Sequence, residues 1–245
     1  MKRAFVRARR PEHKQQRREE ILAAARDLAM TSGVRNVSLG AVAEAVGLAK
    51  SNIMRYFGTR EEIYLILAAD EWHQWAAAVT ARLEAPSDDA AAPVTARLEA
   101  PPDDVAAPVA TRLEASSDHV VAALAETLAD RPLLCDILSQ TATTLEHNVS
   151  IEAARTFKRA ILAVIADLGS QVARTTGLTV GEGTELVSVA TAFAGVLYPI
   201  ANPSPTLAEL YAQDPVIAAT CPDFLPTLTR ALKALAAGLP TLRED

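Results

Sequence analysis

Apolar residues recur three and four positions apart along most of this 245-residue chain, the spacing of one face of an α-helix. Near the start, Ile21, Leu22, Ala25, Leu28 and Ala29 share a face, which predicts a helix opening near Pro11 and closing at Gly33. Ser38 is a natural N-cap for a second, two-turn helix carrying Leu39, Val42, Ala43 and Val46 and ending at Gly47. A third predicted helix runs from Ala49 to Phe57, with Ile53, Tyr56 and Phe57 available for packing and Lys50, Ser51, Asn52 and Arg55 turned elsewhere. "TREE", Thr59 to Glu62, reads as a capping box in which the Thr59 hydroxyl serves the amide of Glu62 and the Glu62 carboxylate returns to Thr59. It opens a fourth helix and leaves Arg60 facing outward.

Beyond Asp118 the helical period resumes. "HVVAALAETLAD" runs to Pro132, "LLCDILSQTATTL" follows, and a long helix starts at the Ser150 cap with Phe157, Ile161, Val164, Ile165, Leu168 and Val172 on one stripe. After Gly177 and Gly181 come "TELVSVATAFAGVLYPI", a Pro-rich "NPSPT", and a last helix from Asp223 to Leu239. Its Leu225, Leu228, Leu232, Leu235 and Leu239 form a coiled-coil-like seam that predicts packing either within the chain or against a second copy. Small residues Ala190, Ala192, Ala194 and Gly195 permit close helix approach. The fold class expected is all-α.

Between these regions the period is fifteen residues. "VTARLEAPSDDAAAP" (79–93) is repeated as "VTARLEAPPDDVAAP" (94–108) and then, more loosely, as "VATRLEASSDHVVAA" (109–123). Fifteen is a multiple of neither 3.6 nor 7, so an apolar face cannot stay in phase from copy to copy. Pro86, Pro93, Pro101, Pro102 and Pro108 interrupt any single helix. The expectation is a tandem-repeat insertion at about 79–116, poorly packed and mobile from 85 to 116.

Composition sharpens this reading in two places. Aromatic residues are only 4% of the chain, in keeping with helices rich in Ala and Leu. The net charge of −6 hides an asymmetry: residues 1–60 carry 13 Lys and Arg against 5 Asp and Glu, and the remainder carries 11 against 25. A cationic front on an anionic body is the electrostatic footprint of a nucleic-acid module joined to a domain with another task. Two short helices joined by a Gly-containing turn form a helix-turn-helix, whose second member can enter the major groove. Lys50, Ser51 and Asn52 in its first turn suit phosphates or base edges, and Ser38 and Arg60 suit the sugar-phosphate backbone.

The stretch "VSLGAVAEAVGLAKSNIMRYFGTREEIYLIL" resembles the DNA-binding signature of the TetR family of bacterial transcriptional regulators, over roughly residues 15–70. Ser38 takes the place of the family's Thr, Gly47 keeps the turn, Tyr56 and Phe57 keep the closing aromatics, and Arg60 keeps the basic cap. Ala49 stands where a Ser often caps the recognition helix, and Met54 where a Tyr commonly touches the backbone; each change removes one phosphate hydrogen bond. The resemblance implies a helix-turn-helix domain over 1–58 and a helical ligand-binding and dimerisation domain over 59–245. It implies a homodimer on double-stranded palindromic DNA, most simply a repressor released by a small-molecule effector. DNA contacts would come from Ser38, Lys50, Ser51, Asn52, Arg55, Tyr56 and Arg60. Walls of an effector pocket would come from Trp72, Trp75, Cys135, Phe157, Phe193 and Tyr198. The competing reading is a helical small-molecule-binding or scaffold protein without sequence-specific DNA binding.

Other function classes find no support. There is no GxSxG elbow and no Gly-rich phosphate loop, and His13, His73, His119 and His147 have no partner at metal-ligand spacing, so no enzyme, metal or cofactor is expected. Cys135 and Cys221 lie far apart and read as small buried apolar side chains. The Arg-rich start lacks the apolar core of a secretory signal and no run of eighteen apolar residues is seen, so a soluble, cytoplasmic protein with no membrane partner is expected.

Overall fold

The computed structural model describes residues 4–85 and 106–243, and the described residues contain helices and turns but no strand. Helix α1 spans Ala4–Ser32, and α2 (Leu39–Ala45) and α3 (Lys50–Ile53) follow a 3-10 turn at Val34–Asn36. Next come α4 (Arg60–Glu84), α5 (Ala106–Ala129), α6 (Pro132–Gln140), a π-helical turn at Thr141–Leu145, and α7 (Ile151–Thr176). The chain closes with α8 (Val180–Ala201), α9 (Pro205–Gln213), α10 (Pro215–Ala218), α11 (Phe224–Gly238) and a 3-10 turn at Leu239–Leu242. The chain divides into two compact units, one of residues 1–71 with 132–160, the other of 72–131 with 161–245.

In the first unit the core is shared among many elements: Ile21, Ala25 and Ala29 from α1 and Ile63, Tyr64 and Leu67 from α4 are buried, as are Val42 of α2, Ile53 of α3 and Leu134 and Ile137 of α6. The α1 stripe is the one the periodicity predicts, but the helix runs through Pro11 instead of opening there. A proline removes one donor and raises the cost of the turn, yet flanking helix formers carry the helix past it. α3 is shorter than the predicted Ala49–Phe57: its α-helical part stops at Ile53, and Arg55 and Tyr56 close tighter turns onto Asn52 and Ile53. From α6, Asp136 reaches the α1–α2 connection, its carboxylate accepting from the Val34 amide at 2.6 Å.

The second unit is built on α5, α8 and α11. Val120, Val121, Leu124 and Leu128 of α5 are buried, as are Leu186, Val187, Ala190 and Ala194 of α8 and Leu228, Leu232 and Leu239 at the end of the chain. The Leu seam of α11 is therefore satisfied within one chain, with Leu225 left at its exposed end. α5 also corrects the repeat reading: the third copy forms one uninterrupted helix through Ser116, Ser117 and Asp118. Its only proline, Pro108, sits in the first turn, where an amide has no partner to lose. The repeat residues 86–105 lie outside the described residues.

α8 is long and apolar enough, at a mean hydropathy of 1.4, to cross a membrane by length and composition, but Glu182 and Glu185 interrupt it, so it holds no run of eighteen apolar residues. Its buried stripe is that of a core helix. Cys221, expected to be buried, is half-exposed with its thiol donating to the Ile200 carbonyl.

Two contacts fix how α8 begins. A true capping box stands at Thr179: its hydroxyl accepts from the Glu182 amide at 3.2 Å, and the Glu182 carboxylate accepts from the Thr179 amide at 2.7 Å. Arg243 then donates to both oxygens of that carboxylate at 2.7 and 2.6 Å. The Arg243 hydrogen bond, with that of the Thr179 amide, holds the Glu182 carboxyl down at about 2. One turn along, Gly183 lies against Gly169 of α7: a Cβ on Gly183 would meet the Gly169 carbonyl oxygen at 2.3 Å, and one on Gly169 would meet the Thr184 Cα at 2.7 Å.

Gly183→Ala is expected to lower unfolding stability by about 1–3 kcal/mol, because backbone and not a flexible side chain stands in the way; an unchanged urea midpoint would contradict the close approach. Because the folded Glu182 titrates below an unfolded carboxylate, its contribution is present above about 4.5 and lost as pH falls toward 2. Arg243→Ala should therefore unfold at lower urea than the wild type at neutral pH, with the gap closing on acidification. A gap independent of pH would exclude this origin.

Candidate nucleic-acid interface

The α2–α3 turn is held by backbone geometry that only glycine adopts freely. Gly47 sits at φ +65°, its amide bonds the Glu44 carbonyl at 3.0 Å, and the Leu48 amide reaches back to Ala43 at 2.8 Å. This is a Schellman closure, which ends α2 and redirects the chain within two residues. Ser38 caps the other end of α2 as predicted, its hydroxyl oxygen accepting from the Ala41 amide at 3.1 Å while its own proton remains available. Ser38 is exposed.

Within the α3 segment the chain separates what packs from what faces water. Ile53 and Phe57 are fully buried and Tyr56 is half-buried, whereas Lys50, Ser51, Asn52, Met54 and Arg55 are exposed. Lys50 and Arg55 thus put two cations beside the Ser51 and Asn52 side chains on one short surface. Ala49, at the N-cap, makes no side-chain capping bond.

Two residues outside the expected contact set hold this surface: Arg18, which the sequence reading did not name, and Glu62, which it named only as a cap. Arg18 of α1 donates to the Tyr56 carbonyl at 2.9 Å and lies 4.3 Å over the Phe57 ring. Glu62 caps α4, but its carboxylate accepts from the Gly58 amide at 2.7 Å, one residue before the Thr59 amide expected; Thr59 accepts from the Glu62 amide at 3.1 Å. Only the forward half of the predicted capping box forms. The signal for Arg18 was a basic residue on the margin of an apolar helical face, a position that general charge patterning assigns to solvent.

Arg60 needs the largest correction. Its guanidinium does not face outward: Nε donates to the Val37 carbonyl, Nη2 to the Val34 carbonyl, and Nη1 pairs with Glu61 at 3.2 Å. The same group lies 4.9 Å over the Tyr64 ring. With five donors in a fixed fork, an Arg placed beside free carbonyls satisfies them before it reaches into solvent. Tyr64 in turn donates to the Ala25 carbonyl at 3.2 Å, and burial pushes its hydroxyl up to about 12.

The six residues expected to wall an effector pocket divide between the units. Trp72, Trp75, Phe193 and Tyr198 belong to the second, Cys135 and Phe157 to the first. Trp72 and Trp75 meet edge to face at 5.5 Å, and the Trp75 indole donates to Thr127 at 2.9 Å, the arrangement of core side chains. Phe193 and Tyr198 are half-buried, Tyr198 against Phe224 at 5.9 Å. Cys135 is fully buried, and burial raises its thiol to about 12, so it stays protonated. Phe157 lines an open groove of about 430 Å³ in the first unit, with Leu65, Ile66 and Ala69 of α4.

A family model described as the bacterial regulatory proteins of the tetR family matches residues 21–67, and one described as a tetracyclin repressor-like C-terminal domain matches residues 69–243. Among solved structures, the fatty acid degradation regulator FadR from Bacillus halodurans is similar at 14% identity and a TM-score of 0.50, covering 90% of this chain and 97% of its own. A putative tetR family transcription regulator from Shewanella sp. PV-4 is similar at 14% identity and a TM-score of 0.46, covering 89% and 95%. No curated protein matches the sequence. The second family model alone spans well over half of the residues, and the chain belongs to the TetR family, whose helix-turn-helix members are DNA-binding transcription regulators and not enzymes.

Proposed function

We propose that the protein is a repressor that binds a palindromic operator in the cytoplasm as a homodimer and leaves it when a small molecule binds. Residues 1–58 would form the DNA-binding domain, and residues 59–245 the domain for ligand and partner. The observation that carries this reading is the α3 surface: Lys50, Ser51, Asn52 and Arg55 exposed together above a buried Ile53 and Phe57. Lys50 and Arg55 suit phosphates, Ser51 and Asn52 suit base edges, and Tyr56 and the Ser38 hydroxyl suit the flanking backbone. Arg60 is left out of the interface because its donors are already committed.

The homodimer has its own support in α8. Val189, Val196 and Ile200 lie on one stripe of that helix and are 39%, 61% and 49% exposed, an apolar row that one chain leaves uncovered. A second copy related by a two-fold axis would cover it with the same row and set two α3 segments at half-site spacing. A ligand that favours a different spacing would weaken DNA binding by its differential affinity for the two arrangements.

Lys50→Ala should weaken binding to every duplex and lower the salt slope by about one. Asn52→Ala should instead change which sequences are selected from a random pool; an identical selected sequence would remove Asn52 as a base reader. Val196→Asp should convert the dimer to monomer in sedimentation at micromolar concentration, and a dimer that persists would place the interface elsewhere.

A further inference from the structure

The groove of about 430 Å³ in the first unit lies within the size range of small-molecule sites. Its floor is apolar, made by Leu65, Ile66 and Ala69 of α4 with Ala153, Phe157 and Ala160 of α7. Its rim is acidic: Glu62, Asp70 and Glu152 line it against the single guanidinium of Arg18. That guanidinium is already occupied by the Tyr56 carbonyl and the Phe57 ring. Asp70 and Glu152 are exposed, and neither makes a hydrogen bond or ion pair among the described residues. An apolar floor ringed by carboxylates, two of them unpaired, selects a ligand with an apolar body and a positive charge.

The position of the groove gives that ligand something to act on. Two of its lining side chains, Arg18 and Glu62, are the ones that hold the exit of α3, through the Tyr56 carbonyl and the Gly58 amide. A cation seated beside Glu62 would compete with the Gly58 amide for its carboxylate and would repel the Arg18 guanidinium. Both displacements loosen the same three-residue stretch.

We propose that this groove binds an organic cation with an apolar body, and that its occupation weakens DNA binding by releasing the backbone at Tyr56 and Gly58. The inference names a ligand class and a site in the first unit beside the exit of α3, and its regulatory half rests on the repressor reading.

The test uses the full chain with tetraphenylphosphonium as probe and tetraphenylborate, of nearly the same shape and opposite charge, as control. In calorimetry the phosphonium should bind and the borate should not. The Asp70→Asn, Glu152→Gln double variant, altered only at exposed positions, should lose roughly tenfold in phosphonium affinity. Equal binding of both probes, or an unchanged affinity in the double variant, overturns the site. Saturating phosphonium should also speed hydrogen exchange at the Gly58 amide, and an unchanged rate overturns the coupling. On a duplex selected by the protein itself, phosphonium should lower DNA affinity roughly fivefold or more. Failure to bind any duplex selectively without phosphonium sinks the repressor reading and leaves the calorimetric result standing. Selective DNA binding that phosphonium does not change sinks the regulatory half alone.

Discussion

A helix of four residues does not hold its own shape, and everything proposed for α3 depends on what holds it instead. Isolated helices shorter than about 12–15 residues are marginal in water, because nucleation costs more than a single turn returns. α3 spans Lys50–Ile53, so its orientation comes from its neighbours. The Schellman closure at Gly47 fixes its entrance, Ile53 and Phe57 anchor its underside, and Arg18 and Glu62 fix its exit. Hydrogen bonds to a charged partner contribute about 1.5–3 kcal/mol each, so the two at the exit outweigh any propensity the KSNI segment has of its own. The orientation of α3 is therefore set by α1 and α4.

The same accounting explains how the cations of the front end are divided. Each of Arg18, Arg26 and Arg60 is spent inside the first unit: Arg18 on the Tyr56 carbonyl, Arg26 on the Glu71 carboxylate, Arg60 on the carbonyls of Val34 and Val37. Arg60 thereby ties the start of α4 to the α1–α2 connection, while Asp136 takes the Val34 amide of that connection. The excess of positive charge in residues 1–60 therefore overstates what faces solvent, and the share near α3 is Lys50 with Arg55. Charge counting finds the domain but not the contacts.

What was legible in the sequence was what depends on neighbours along the chain. The apolar stripes of α1, α7 and α11, the Ser38 cap and the Gly47 turn all follow from spacing within a few residues, and each is present. What was not legible depends on residues distant in the chain. That Arg60 turns inward is decided by carbonyls 23 and 26 positions away, and that Glu62 bonds Gly58 follows from where the chain leaves α3. The third repeat copy shows a failure of another kind. Its Ser-Ser-Asp cluster has turn propensity, but without a proline that preference is weak, and Val120, Val121 and Leu124 behind it are buried and hold the helix straight through. The Thr179 capping box was readable as T-x-x-E, and the distant residue that grips its carboxylate, Arg243, was not.

The two apolar rows at the end of the chain answer different needs. α11 places Leu228 and Leu232 inside the second unit with α5, so the seam that looked available to a partner is used within one chain. α8 carries two stripes: Leu186, Ala190, Ala194 and Leu197 inward, and Val189, Val196 and Ile200 outward. The inward stripe combines Leu with Ala, which lets the helix pack closely within the chain, and the outward one is β-branched throughout. A helix apolar on both sides is either surrounded or shared. Because the inward stripe is already satisfied by its own chain, leaving the outward one in water would expose large side chains with no structural return. On the proposed homodimer, a second copy presenting the same stripe would remove that exposure.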